Sequence, residues 1–90
     1  MAKTPGFDVI FRKKPALMLL TLYLDEKARY GSALAKKIDC TYSHAVKVLK
    51  NLEKMKLIVF EKKGRTKLVT LTNQGKQVAE AIKKIKDIID

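Results

Sequence analysis

A chain of 90 residues has room for one domain with a modest core, and not for a roomy active site carried on a separate scaffold. Twenty lysines and arginines against nine acids leave a net charge of +11, a self-repulsion that a polyanion relieves; nucleic acid is the first candidate partner and an anionic membrane surface the second. One cysteine and one histidine exclude a disulfide framework within the chain, argue against a Cys/His zinc site, and fit a reducing, cytoplasmic setting.

Residues 1–6 include Pro5 and Gly6 and read as a frayed end. Phe7, Val9, Ile10 and Phe11 form a small apolar cluster, compatible with a short helix or with an arm packed on a neighbour. Pro15 suits the first turn of a helix running to Tyr23 or Leu24, because its missing N–H would have no partner there anyway. Apart from Thr21, residues 16–24 are apolar on nearly every side, so burial on more than one face is expected, part of it against a second subunit. The run PALMLLTLYL after Arg12, Lys13 and Lys14 has the outline of a secretory leader. Asp25, Glu26 and Lys27 follow at once without a small-residue cleavage site, and the run is too short to span a bilayer, so it is read as a core helix with no membrane role.

Ala28, Arg29 and Tyr30 suit a minimal edge strand ahead of a helix-turn-helix spanning residues 30–56. Its first helix carries Leu34, Ala35 and Ile38; Asp39 and Cys40 interrupt it; Thr41 is the N-cap of a second helix from Tyr42 to about Met55. Ala45, Val48, Leu49 and Leu52 give that helix its apolar stripe. Its opposite side carries Ser43, His44, Lys47, Lys50, Asn51 and Lys54, all hydrogen-bond donors with no carboxylate among them, while Glu53 falls on the flank. A merely solvated face usually mixes signs and pairs acid with base at i,i+4, so a face of one sign points to phosphate.

From Ile58 to Thr72 the apolar period changes to two. The runs IVFEKK and KLVTLT predict a hairpin over residues 57–72, connected through Lys63, Gly64, Arg65 and Thr66, with Gly64 supplying a positive φ. Its tip is basic: Lys62, Lys63, Arg65 and Lys67. Residues 73–90 form one amphipathic helix, capped by Thr72 or Asn73. Val78, Ile82, Ile85 and Ile89 make a coiled-coil-like seam that Ala81 and Ile88 widen. The seam can pack on the first helix, but its breadth exceeds what one helix covers, and a homodimer is expected through it.

The fold class is therefore mainly α with a small β-hairpin (α+β), as a single domain. Helix, helix-turn-helix, basic hairpin and long closing helix, in that order, resemble the winged helix-turn-helix family, in particular MarR-like and other small archaeal or bacterial regulators. The resemblance is carried by Leu34-Ala35 through Ile38, Thr41, Leu52-Glu53 and Leu57-Ile58, and by Leu71-Thr72-Asn73-Gln74-Gly75, similar to the family's L-T-x-x-G. Asp39 and Lys56 stand where the family pattern has glycine. Aspartate tolerates a left-handed backbone; lysine does so less well, so the second helix is expected to end differently.

The resemblance implies binding of double-stranded DNA, with the helix from Tyr42 in the major groove and the hairpin tip along a minor groove or the backbone. It assigns Tyr42, Ser43, His44, Lys47 and Asn51 to base edges, and Lys50, Lys54, Lys62, Lys63, Arg65 and Lys67 to phosphate. Between Tyr42 and Lys67 there are eight lysines and arginines against two acids, so +6 of the total +11 lies in this region. Cys40 matches a small apolar position of the turn and is expected to be a buried, inert thiol rather than a redox sensor. His44 is expected to be a surface donor. Tyr42 either stacks on a sugar or base or fixes the turn as a partly buried ring, and both readings stay open. Phe60, Leu68, Val69 and Leu71 are assigned to the core, and Tyr23 and Tyr30 to packing.

The acids are scattered, no Gly-rich phosphate loop is present, and His44 has no evident Ser or Cys partner, so neither catalysis nor a cofactor is expected. The expected function is sequence-specific DNA binding by a homodimeric transcriptional regulator, with any effector bound at the dimer interface. Two alternatives stand beside it. One is an architectural protein that coats DNA with little sequence preference, which the scarcity of arginine on the recognition face favours. The other is a winged-helix module that binds an acidic protein.

Overall fold

Local capping signals set most of the element ends. The computed structural model describes residues 10–25, 29–64 and 66–90, in which four helices and one hairpin follow in order: α1 (Lys13–Leu24), α2 (Gly31–Lys37), α3 (Tyr42–Lys54), β1 (Ile58–Lys63), β2 (Thr66–Leu71) and α4 (Asn73–Ile89). Pro15 is the third residue of α1, where the backbone N–H has no intrahelical acceptor to lose. The Thr41 hydroxyl accepts the His44 N–H at 3.2 Å to start α3, and the Thr72 hydroxyl accepts the Gly75 N–H at 3.0 Å to start α4. Phe7 and Val9 of the apolar cluster and Ala28 of the edge strand lie outside the described residues. Arg29 and Tyr30 form no strand, although the Arg29 carbonyl accepts the Val69 N–H at 2.8 Å.

Both helices of the helix-turn-helix end by the same device. After α2 the Cys40 N–H reaches the Ala35 carbonyl at 2.9 Å and the Asp39 N–H reaches that of Lys36 at 3.3 Å, with Asp39 left-handed at φ 55°. After α3 the Leu57 N–H reaches Leu52 at 3.1 Å and the Lys56 N–H reaches Glu53 at 2.9 Å, with Lys56 left-handed at φ 62°. The expectation that α3 would end differently is thus corrected. A non-glycine residue in this conformation costs about 1–2 kcal/mol. Two further bonds offset that cost: the Thr72 hydroxyl donates to the Lys56 carbonyl at 2.7 Å, and the Thr72 N–H donates to Leu57 at 3.0 Å. The α2 end has its own anchor, since the Lys14 ammonium on α1 donates to the carbonyls of Ile38 and Asp39 at 2.7 and 2.9 Å.

The core lies where these elements meet. Met18, Leu19 and Leu22 of α1 pack with Leu34, Ala35 and Ile38, with Ala45, Val48, Leu49 and Leu52 of α3, and with Leu57, Ile58, Val69, Leu71 and Ala79. No polar side chain is buried among the described residues. Leu24 is exposed, so the burial of α1 on nearly every side stops before its last residue. The antiparallel hairpin pairs Ile58 with Leu71 and ends at Lys63 opposite Thr66, with Gly64 following Lys63 at φ 60°. β1 keeps the expected bounds, β2 lies one residue earlier than expected, and Thr72, one of the two expected caps, caps α4 instead of ending the strand.

Gly75 is buried in the first turn of α4 against the Leu57 backbone; a Cβ there would collide with the Leu57 carbonyl oxygen and lie 2.9 Å from its carbon. Because the obstacle is backbone, Gly75→Ala should cost at least about 2 kcal/mol, read as a lowered melting temperature. Lys56→Gly should act the other way, adding about 0.5–1 kcal/mol in urea denaturation with an unchanged m-value, less than the full strain because glycine also loosens the unfolded chain.

Candidate nucleic-acid interface

Helix α3 is amphipathic in the sense its sequence requires. Ala45, Val48, Leu49 and Leu52 are buried, while Ser43, His44, Lys47, Lys50, Asn51 and Lys54 are all exposed. Tyr42, the first helical residue, is 62% exposed, yet its ring lies over Gly31, where a Cβ would sit 3.3 Å from Cε1. It thus both pins the turn and offers a free ring face. Val46 is half-buried beside Lys50 and borders the concave surfaces on both flanks of α3. It was not among the expected contact residues, because an apolar residue next to Ala45 reads as core.

The hairpin divides its basic residues. Lys62 pairs directly with Lys67 in the ladder, on the same face as Phe60 and Val69. Lys63, by alternation, belongs to the opposite face, and Arg65 lies outside the described residues. The Lys67 ammonium stands 5.9 Å from the centroid of the Phe60 ring, which is half-buried. Between α3 and the inner face of the hairpin runs a cleft of about 840 Å³. Val46, Leu49, Phe60 and Val69 line its depth, Lys50, Lys62 and Lys67 its rim together with the exposed acid Glu53, and Tyr30 one end. Tyr30 is 42% exposed, correcting its assignment to packing.

Charge is distributed unevenly. Among the described residues no lysine of α3 or of the hairpin is in an ion pair, although Glu53 and Glu61 belong to the same elements. The ion pairs lie elsewhere: Lys37 with Asp25 at 3.3 Å, and on α4 Lys83 with Asp87 at 2.7 Å and Lys86 with Asp90 at 2.8 Å. On α4 the hydrogen bonds that Lys83 and Lys86 donate to the Asp87 and Asp90 carboxylates, aided by the charge of those carboxylates, hold the two ammonium groups above the ordinary lysine pKa. Like charges directly opposite, as in Lys62 and Lys67, weaken a hairpin, so the basic rim is maintained against a local cost.

The seam of α4 also divides. Val78 and Ile82 are half-buried against the core, whereas Ile85, Ile88 and Ile89 are 45%, 84% and 76% exposed. Ala79, which the spacing did not single out, is fully buried. Beside these residues a groove of about 770 Å³ runs between α1 and α4, lined by Ile10, Phe11, Leu17, Leu20, Val78 and Ile85. Cys40 is half-buried against the core, less enclosed than expected. Among the described residues no helix is long and apolar enough to cross a membrane.

Residues 42–83 match the DUF6293 C-terminal winged helix domain. An uncharacterised protein of Archaeoglobus fulgidus is 31% identical over 85 residues, covering 91% of this chain and 90% of its own length. The crystal structure of AF1382 from the same organism superposes with a TM-score of 0.83 at 30% identity, over 94% of this chain and 97% of that one. Staphylococcus aureus MepR, a transcription regulator of the multidrug efflux pump MepA, gives a TM-score of 0.81 at 28% identity over 93% of this chain, which spans only 62% of MepR. A MepR–DNA complex gives 0.77 at 25% identity, over 92% of this chain and 70% of that one. With four helices, a two-stranded antiparallel hairpin and a relative of nearly equal length, the chain belongs to the winged helix-turn-helix proteins and resembles the MarR-family regulators among them.

Proposed function

We infer that this protein is a homodimeric transcriptional regulator that binds double-stranded DNA with sequence preference and performs no catalysis. The observation that carries this reading is the set of lysines on α3 and the hairpin, exposed together and outside any ion pair among the described residues, while Asp87 and Asp90 are paired with Lys83 and Lys86 at the end of α4. In this reading α3 enters the major groove, with Ser43, His44, Lys47 and Asn51 at base edges and Tyr42 at the groove edge. Lys50, Lys54, Lys62 and Lys67 take phosphates, and Lys63 and Arg65 reach a backbone at the hairpin tip. MepR, which shares the fold, has been solved with DNA and supports the same use here. The exposed Ile85 and Ile89, with Val78 and Ile82 behind them, supply the dimer face, placing two copies of α3 on half-sites about 34 Å apart. A second reading, architectural binding without sequence preference, is favoured by one feature: α3 contains no arginine, the commonest reader of guanine.

Selection from random duplexes should yield a sharp motif, and a featureless pool would instead establish the architectural reading. Affinity for the selected site should fall steeply with salt, and Lys62→Gln and Lys67→Gln should each lower the log–log slope by about 1. A flat salt response would refute phosphate contact. In sedimentation equilibrium, Ile85→Glu combined with Ile89→Glu should convert a dimer to a folded monomer, whereas an unchanged dimer would place the interface elsewhere.

A further inference from the structure

The cleft between α3 and the hairpin has a property that duplex binding leaves unused. A duplex keeps its bases stacked inside, so a strand passing between helix and hairpin presents only phosphate and deoxyribose. Those groups suit the rim lysines 50, 62 and 67. They do not suit a depth lined by Val46, Leu49, Phe60 and Val69, nor the exposed ring of Tyr30 at one end and that of Tyr42 on the α3 side. Apolar walls, aromatic faces and a cationic rim together are what an unpaired nucleotide requires: a π-surface for the base and ammonium groups for the phosphates that flank it.

We propose that this cleft is a binding site for an unpaired base of a single-stranded nucleic acid, with Tyr30 and Tyr42 as the stacking surfaces and Lys50, Lys62 and Lys67 on the adjoining phosphates. The site shares its rim lysines with the duplex-binding surface but adds Tyr30, to which the duplex reading gives no role. Single-stranded and duplex DNA therefore compete for the protein. Stacking in the cleft is indifferent to base identity, because every base offers a π-face, while Ser32, Glu53 and Thr66, which also line it, supply its polar edge.

The test is fluorescence anisotropy with a labelled oligodeoxythymidylate of about 12 nucleotides, within the span of single-strand sites, alongside a duplex of the same length. The unaltered protein should bind both. Tyr30→Leu should weaken oligothymidylate binding about tenfold, the worth of one stacked base, and leave duplex affinity essentially unchanged, while Tyr30→Phe, which keeps the ring, should bind both like the unaltered protein. Equal losses for Tyr30→Phe and Tyr30→Leu would overturn the stacking role, since the hydroxyl would then be the contact. Photocrosslinking of the unaltered protein to an iododeoxyuridine oligomer should give adducts at Tyr30 or Tyr42; adducts only outside the cleft would also overturn the proposal. Duplex binding without oligothymidylate binding would sink this inference alone, and oligothymidylate binding without any duplex binding would sink the duplex reading alone.

Discussion

The closest constraint in the molecule is the contact of one backbone with another where the first turn of α4 lies on the Leu57 carbonyl. Gly75 permits the approach and Thr72 secures it, its hydroxyl accepting from Gly75 and donating to Lys56 while its N–H donates to Leu57. Through one threonine and one glycine, the end of α3, the start of β1, the end of β2 and the start of α4 are held in one place. The cleft between α3 and the hairpin opens between two of the elements that this junction joins. Chemistry at the surface depends on a contact that no surface residue makes.

Around that junction the sequence separates its charges. On α4, lysines and aspartates are neighbours at i,i+4 and neutralise one another. On α3 and the hairpin no lysine is in an ion pair among the described residues, although Glu53 and Glu61 belong to the same elements, and Lys62 and Lys67 even face each other across the ladder. Surface ion pairs contribute little to stability, so the contrast is not explained by the needs of the fold. The partner proposed for this chain, a nucleic acid with its own negative charge, would account for it.

What could be read without the structure was what is decided locally. Thr41 and Thr72 are caps because a short hydroxyl side chain reaches the N–H three residues on, and the hairpin turn follows from Gly64. Lys56 was misjudged because its local strain was visible and the Thr72 bonds that offset it were not. Tyr30 was assigned to packing and Val46 was given no role, because only the three-dimensional placing of helix and hairpin puts both at an open cleft. The α4 seam was seen as one stripe, yet α4 has 17 residues against 12 in α1, and its last isoleucines run past the groove that the two helices share. Among the contact lysines, exposure was legible from periodicity, but the split of Lys62 and Lys67 from Lys63 depended on the ladder register.

Lys14 sits in the first turn of α1, where a positive charge opposes the dipole of its own helix, and its ammonium is shared by the carbonyls of Ile38 and Asp39 just past the end of α2, where a positive charge is favoured. One charge is thus unfavourable at the start of α1 and favourable at the end of α2. The start of α1 and the turn that precedes the recognition helix behave as a single electrostatic unit, so the apolar face formed by α1 and the cationic face formed by α3 are registered to each other through a lysine that belongs to neither.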